Sequence, residues 1–179
     1  MPIRRPFNIT KWIDEHRHEL KPPVGNRNLY QDAGDYIVMV VAGPNARKDF
    51  HYNETEELFY QLEGDIIVKI QEDGKPVDIA IREGEMFLLP ARVPHSPIRP
   101  EGSVGLVIEL KRDEKNTDGL LWFCENCNNK LHESYFHLTN IEKDFIPRFK
   151  EFYASNEMRT CPECGSVMEA DQRFVEKED

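Results

Sequence analysis

The chain has 179 residues and a formal net charge of −10, from 33 acidic and 23 basic side chains. This length suits one main domain with a real core and a small appendage. The dispersed acidity argues against a nucleic-acid surface, which needs clustered Lys and Arg, and no apolar run approaches a membrane span.

The first residues, Met1-Pro-Ile-Arg-Arg, carry charge but no following apolar stretch, so no secretory signal is expected. Asn8 is placed to cap a helix. Ile9, Trp12, Ile13, His16 and Leu20 then recur on one helical face, and Lys21-Pro22-Pro23 should end it. From Asp35 the pattern changes to strand. Tyr36 to Val41, Leu58 to Leu62, Ile66 to Ile70, Val77 to Ile81, Met86 to Leu89 and Val104 to Glu109 are short apolar or alternating runs. Asp73-Gly74 reads as a hairpin turn, because both residues tolerate positive φ, and Gly64-Asp65 as a second turn. Several short strands at such spacing predict an all-β sandwich or barrel. Lys111 to Asp118 is charged and reads as a linker. This predicts a division into residues 1–118, the barrel with its helix, and residues 119–179, a small metal-binding segment.

Within that segment all four cysteines form two Cys-x-x-Cys pairs, Cys124/Cys127 and Cys161/Cys164, separated by 33 residues. Two such turns complete a tetrahedron around one ion, a closed and therefore structural site, and the pairing suits a cytoplasmic metal protein better than a disulfide framework. Iron and zinc both accept this geometry. Between the pairs a helix is expected, with Pro147 in its first turn and Phe149, Phe152 and Tyr153 on one face. The tail after Ala170 reads as polar and frayed.

Two spaced motifs carry the chemistry: Gly43-x7-His51-x-Asn53-x3-Glu57-x6-Gly64 and Gly84-x5-Pro90-x-Arg92-x2-His95-x3-Arg99. In a small β-barrel they would bring two imidazoles and one carboxylate to one metal and leave the opposite face open for substrate and O2. Arg47 precedes His51 and Arg99 follows His95 by the same interval. An Arg fork suits a substrate carboxylate, and Glu109 could accept from an amine or phenol. The plainer roles for Arg99 and Glu109 are a surface cation and an exposed strand charge. His16, His18, His132 and His137 are read as packed or solvated.

These motifs resemble those of the cupin superfamily, whose first motif ordinarily carries a second His where Asn53 stands. The resemblance implies a double-stranded β-helix (jelly-roll) barrel and a reduced ligand set of His51, Glu57 and His95. Arg92 replaces a usual Gly and Arg99 a usual Asn. A closer resemblance runs through Pro6-Phe7-Asn8, Trp12-Ile13, Lys21-Pro22-Pro23-Val24-Gly25-Asn26-Arg27, Gly43-Pro44-Asn45-x-Arg47, Glu57-x-Phe59-Tyr60-Gln61-Leu62, Leu88-Leu89-Pro90 and His95-Ser96-Pro97. These segments are similar to the 3-hydroxyanthranilate 3,4-dioxygenase family, and the cysteine pairs to its bacterial form and to rubredoxin knuckles.

The family resemblance implies an Fe(II) enzyme that opens the ring of 3-hydroxyanthranilate with O2. The product, 2-amino-3-carboxymuconate semialdehyde, cyclises to quinolinate on the kynurenine route to NAD. It further implies His51, Glu57 and His95 on the iron, Arg99 on the substrate carboxylate, Glu57 and Glu109 on its ring substituents, and Arg47 beside O2. A homodimer in the cytoplasm is the implied state. Two other functions fit the same barrel: a cupin that binds a small acid without turnover, and a metal-dependent isomerase.

Overall fold

The computed structural model describes residues 3–21, 25–45, 47–139 and 141–175. Helix α1, Ile9–His16, is capped by Asn8, whose side-chain oxygen accepts from the Lys11 amide at 2.9 Å. It stops short of the expected Leu20. Turns from Glu19 to His16 and from Leu20 to Arg17 replace its last rungs and still bury Leu20. The expected terminator, Pro22-Pro23, lies outside the described residues.

Eleven strands follow among the described residues: β1 Asn26–Asn28, β2 Tyr36–Ala42, β3 Asp49–Tyr52, β4 Glu57–Glu63, β5 Ile66–Glu72, β6 Lys75–Ile81, β7 Met86–Leu89, β8 His95–Ile98, β9 Val104–Leu110, β10 Asp118–Phe123 and β11 Lys130–Phe136. They form two antiparallel sheets, ordered β1-β2-β9-β4-β7 and β11-β10-β3-β8-β5-β6, the jelly-roll expected from the sequence. Asp73 and Gly74 join β5 to β6 with φ of 48° and 74°, and Gly64 turns β4 into β5 at 63°.

Alternation along the strands sorts their side chains. Phe59, Ile66, Val68, Ile70, Ile81, Leu89 and Val107 fill the space between the sheets. α1 lies on the outer face of the five-stranded sheet, where Ile13 and Leu20 pack against Val40, Ala42 and Val104.

The division expected at residue 118 coincides with the first residue of β10. This strand pairs with β3 from Gly119 to Trp122, so the cysteine-bearing part shares a sheet with the barrel. Helices α2, Ile141–Ala154, and α3, Asn156–Arg159, then complete the chain. Pro147 lies well inside α2 rather than in its first turn. The helix starts upstream because Thr139, through its backbone N–H and its hydroxyl, donates to Asp144 Oδ2 at 2.7 and 2.9 Å. Trp122 stacks on Phe152 with ring centroids 4.3 Å apart, in a cluster with Leu120, Phe136, Phe145 and Tyr153. The tail is less polar in its packing than in its composition, since Phe174 sits 4.8 Å from the Phe149 ring.

Candidate functional site

β3 carries His51, β8 opens with His95, and the register sets the two residues directly opposite each other. Across the barrel, Glu57 at the start of β4 is register partner to Glu109 on β9. Each sheet therefore contributes one cross-strand pair, imidazoles from one and carboxylates from the other, and all four side chains are buried. His95 Nε2 lies 3.1 Å from Glu57 Oε2, and His51 Nδ1 lies 3.7 Å from Glu57 Oε1. Two donors each about 2.1 Å from one ion and at right angles would be about 3.0 Å apart. The spacing and the nitrogen–oxygen donor set fit a divalent transition metal.

The ring nitrogens turned away from Glu57 are also engaged. His51 Nε2–H donates to Asp118 Oδ1 at 2.8 Å, and His95 Nδ1–H to the Val93 carbonyl at 3.0 Å. These bonds select the tautomers that leave His51 Nδ1 and His95 Nε2 as free lone pairs. Burial lowers the His51 pKa, favouring the neutral form that a ligand needs, against the pull of Asp118 and Glu57. Burial opposes the Glu57 charge, yet His95 and then His51 hold its carboxyl below the ordinary range. Burial, and then the charge of Glu57, push Glu109 up to about 8 against the pull of Arg112.

Asn53, which replaces the usual imidazole, is not turned as a ligand. Its carbonyl oxygen accepts from the Thr55 amide and hydroxyl, both at 3.0 Å. Its NH2 therefore faces inward, donating to Glu109 Oε2 at 3.2 Å and to Glu57 Oε1 at 3.4 Å.

Arg99 is 3% exposed. Among the described residues its guanidinium has one hydrogen-bond partner, Gln61 Oε1 at 3.5 Å, and no carboxylate. Gln61 is held by donating its own NH2 to the Glu63 and Val104 carbonyls at 2.8 and 3.1 Å. The Arg99 backbone is pinned as well, its N–H donating to Asn45 Oδ1 at 2.7 Å. That clamp needs glycine at 43, where a Cβ would fall 2.0 Å from the Pro100 carbonyl oxygen. Burial brings the Arg99 pKa down to about 10, with Glu57 opposing and Arg47 assisting. Arg47 itself is paired with the buried Asp49 of β3.

Four residues at or beside the site were not singled out in the sequence. Gln61 lay in a motif but had no assigned role. Asp118 and Arg112 fall in the stretch read as a linker, yet both side chains are buried and paired with each other. Phe145, from α2, lies 5.5 Å from the His51 ring. The signal for Arg112 and Asp118 was a charged pair at the two ends of a connection between strands, and charge alone reads as solvated surface.

The four cysteine sulfurs form a second cluster, with Cys124 Sγ 3.6 Å from Cys164 Sγ and Cys127 Sγ 3.5 Å from Cys161 Sγ. Four thiolates about 2.3 Å from a tetrahedral ion would stand about 3.8 Å apart, so this donor set also fits a metal. Each pair is a tight turn: the Asn128 amide donates to Cys124 O at 2.8 Å and the Gly165 amide to Cys161 O at 2.9 Å. Asn128 takes the same positive φ as Gly165, 61° against 74°. Its side chain explains the tolerance, because it exchanges two 2.9 Å hydrogen bonds with Gln71 of β5.

A family model described as 3-hydroxyanthranilic acid dioxygenase matches residues 1–153. A 3-hydroxyanthranilate 3,4-dioxygenase of Xanthomonas oryzae pv. oryzae is 54% identical over 174 residues, which is 97% of this chain and 98% of its own. The protein of the same name from a Jannaschia species is 55% identical over 162 residues, 90% of this chain and 89% of its own. Among solved structures, a cupin-2 domain containing protein from Shewanella frigidimarina is 21% identical, with 59% of this chain and 94% of that chain covered and a TM-score of 0.46. Sequence identity above one half, sustained from the N-terminal helix through the barrel and into the cysteine segment, settles descent: the chain belongs to the 3-hydroxyanthranilic acid dioxygenase family.

Proposed function

We propose that this protein is a 3-hydroxyanthranilate 3,4-dioxygenase, with Fe(II) held by His51, Glu57 and His95 and the substrate carboxylate held by Arg99. The observation that carries the reading is Arg99 itself, buried near Glu57 with no carboxylate partner among the described residues. A desolvated cation is costly unless an anion meets it, and a guanidinium fork matches a carboxylate with two parallel bonds. A ring acid docked on Arg99 would lay its other substituents toward Glu57 and Glu109.

Bound iron would supply the electronic link between the aminophenol and O2, with the open face of the ligand set leaving room for both. The chain does the positioning. Glu109, buried and set opposite Glu57 across the β4–β9 register, is placed to accept from the substrate hydroxyl or amine. Arg47, anchored by Asp49 and within the field of Glu57, would stabilise negative charge as it develops on dioxygen. The ring bond between C3 and C4 breaks, and both oxygen atoms enter the semialdehyde product, whose amine and aldehyde condense with loss of water to give quinolinate.

The four-thiolate site would hold iron or zinc as a structural ion, and residues 119–179 would be the segment it organises on the barrel. Among the described residues no helix is long and apolar enough to cross a membrane; the cytoplasmic location rests on the family resemblance. A homodimer is supported by the outer face of the five-stranded sheet. There Leu88, Leu58, Ile108 and Val38 stand in register across four strands, and Leu88 and Met86 are exposed.

The decisive experiment is O2 consumption by anaerobically Fe(II)-loaded protein on adding 3-hydroxyanthranilate. Uptake of one O2 per ring opened supports the reading. Binding without uptake would make the protein a small-acid binder, and turnover of another acid without O2 would make it an isomerase.

A further inference from the structure

Arg112 lies between β9 and β10, with its side chain 3% exposed. Its Nε donates to both oxygens of Asp118, at 3.1 and 3.0 Å, and its Nη2 to Asp118 Oδ1 at 2.8 Å. The remaining arm, Nη1, reaches Glu109 Oε2 at 2.7 Å. Asp118 Oδ1 in turn accepts from His51 Nε2–H. One guanidinium thus closes a buried chain, His51–Asp118–Arg112–Glu109, that begins on a candidate metal ligand and ends on the candidate acceptor for the substrate. Two carboxylates buried together need a cation for charge alone, and a lysine ammonium would serve that purpose. The rigid fork does more, because its planar arms fix the angle between Asp118 and Glu109.

We propose that Arg112 is a positioning residue that ties the orientation of His51, acting through Asp118, to the placement of Glu109, so that metal ligand and substrate acceptor are aligned by one side chain. This rests on the dioxygenase reading for the roles of His51 and Glu109. The geometry predicts coupled losses. A change at Arg112 should loosen the imidazole on the metal and, in the same variant, displace the carboxylate that meets the ring.

The test compares wild type, Arg112→Lys, Arg112→Met and Asp118→Asn. Fe(II) affinity of the metal-free protein is measured by chelator competition, and 3-hydroxyanthranilate affinity by anaerobic titration of the Fe(II)-loaded protein. Lysine keeps the charge and loses the fork. Positioning therefore predicts that Arg112→Lys weakens Fe(II) binding roughly 10- to 100-fold, the range for partners of metal ligands, and weakens substrate binding as well. Asp118→Asn should weaken Fe(II) similarly, and adding Arg112→Lys to it should cost little more, since both act on His51 along one path. Native values for both affinities in Arg112→Lys would leave Arg112 as a charge neutraliser and overturn the proposal. Loss of only one affinity would also overturn it by confining Arg112 to one partner, as would failure of both Arg112 variants to fold. Wild-type protein that binds Fe(II) but neither binds nor opens 3-hydroxyanthranilate would defeat the dioxygenase reading itself, and the substrate end of the coupling with it.

Discussion

Single side chains set the character of this site through what they lack. Asn53 offers no imidazole and turns its amide protons to two carboxylates, so the donor set stays at two nitrogens and one carboxylate. Among the described residues Arg99 has no carboxylate partner, and in the proposed reading the substrate supplies one. Arg99→Ala should raise the dissociation constant for 3-hydroxyanthranilate by the equivalent of about 2–5 kcal/mol, the cost of truncating one partner of a buried charge pair. Arg99→Lys should recover only part of that, for want of the fork. Anaerobic titration would settle it, and unchanged binding in Arg99→Ala would remove Arg99 from the site. Arg92 shows a different economy. It adopts φ 68° in a turn whose amide donates to Asn53 O at 2.7 Å. A left-handed conformation costs a side chain about 1–2 kcal/mol, whereas glycine loses about 0.4–1 kcal/mol through a freer unfolded chain. Arg92→Gly should therefore stabilise the protein by up to about 1.6 kcal/mol in urea unfolding, with substrate binding unchanged. Lower stability would mean that the Arg92 side chain contributes more than its backbone strain costs.

The secondary-structure elements act as carriers. β3 and β8 place the imidazoles, β4 and β9 the carboxylates, and β10 brings Asp118 behind His51. α2 then lays Phe145 against the same ring. The C-terminal part is therefore a wall of the site as well as an appendage. Replacing Cys124 and Cys127 together with Ser removes half of the thiolate cluster, and metal binding there would no longer contribute to folding free energy. The variant should show a lower Tm and a protease-sensitive stretch around α2, while the proposed site of His51, Glu57 and His95 still takes up Fe(II) on loading. A variant that stays folded and protease-resistant yet cannot open the ring in a single turnover would place the cysteine site in the chemistry.

At the scale of the whole molecule, the proposed homodimer is placed on the exposed part of the five-stranded sheet. α1 shields one end of the five-stranded sheet, and the opposite end leaves Met86 at 61% and Leu88 at 53% exposed. Two copies each carrying a net charge of −10 repel, so association through this face must come from apolar burial and should strengthen with salt, which screens the repulsion. Light scattering should give a dimer for wild type and a monomer for Met86→Lys/Leu88→Lys, with metal content unaltered. A monomeric wild type, or a dimer that survives both substitutions, would move the interface elsewhere.

Six of the eleven strands described, the Asp73-Gly74 turn and the helix cap were readable in the chain, because alternation, positive-φ tolerance and capping are properties of neighbours. The paired cysteines were readable for the same reason, since each turn closes within a few residues. The spacing of His51, Glu57 and His95 singled them out, and the family resemblance supplied the reaction. Other features had no local signal. The stretch read as a linker became the back of the site, because Asp118 meets a histidine 67 positions away and only a folded sheet sets that distance. Pro147 sits inside α2 because Thr139 and Asp144 start the helix upstream. Burial was equally nonlocal. Arg112, Asp118 and Glu109 are charged residues that composition assigns to solvent, yet all three side chains are buried in the fold, which makes their pairing obligatory.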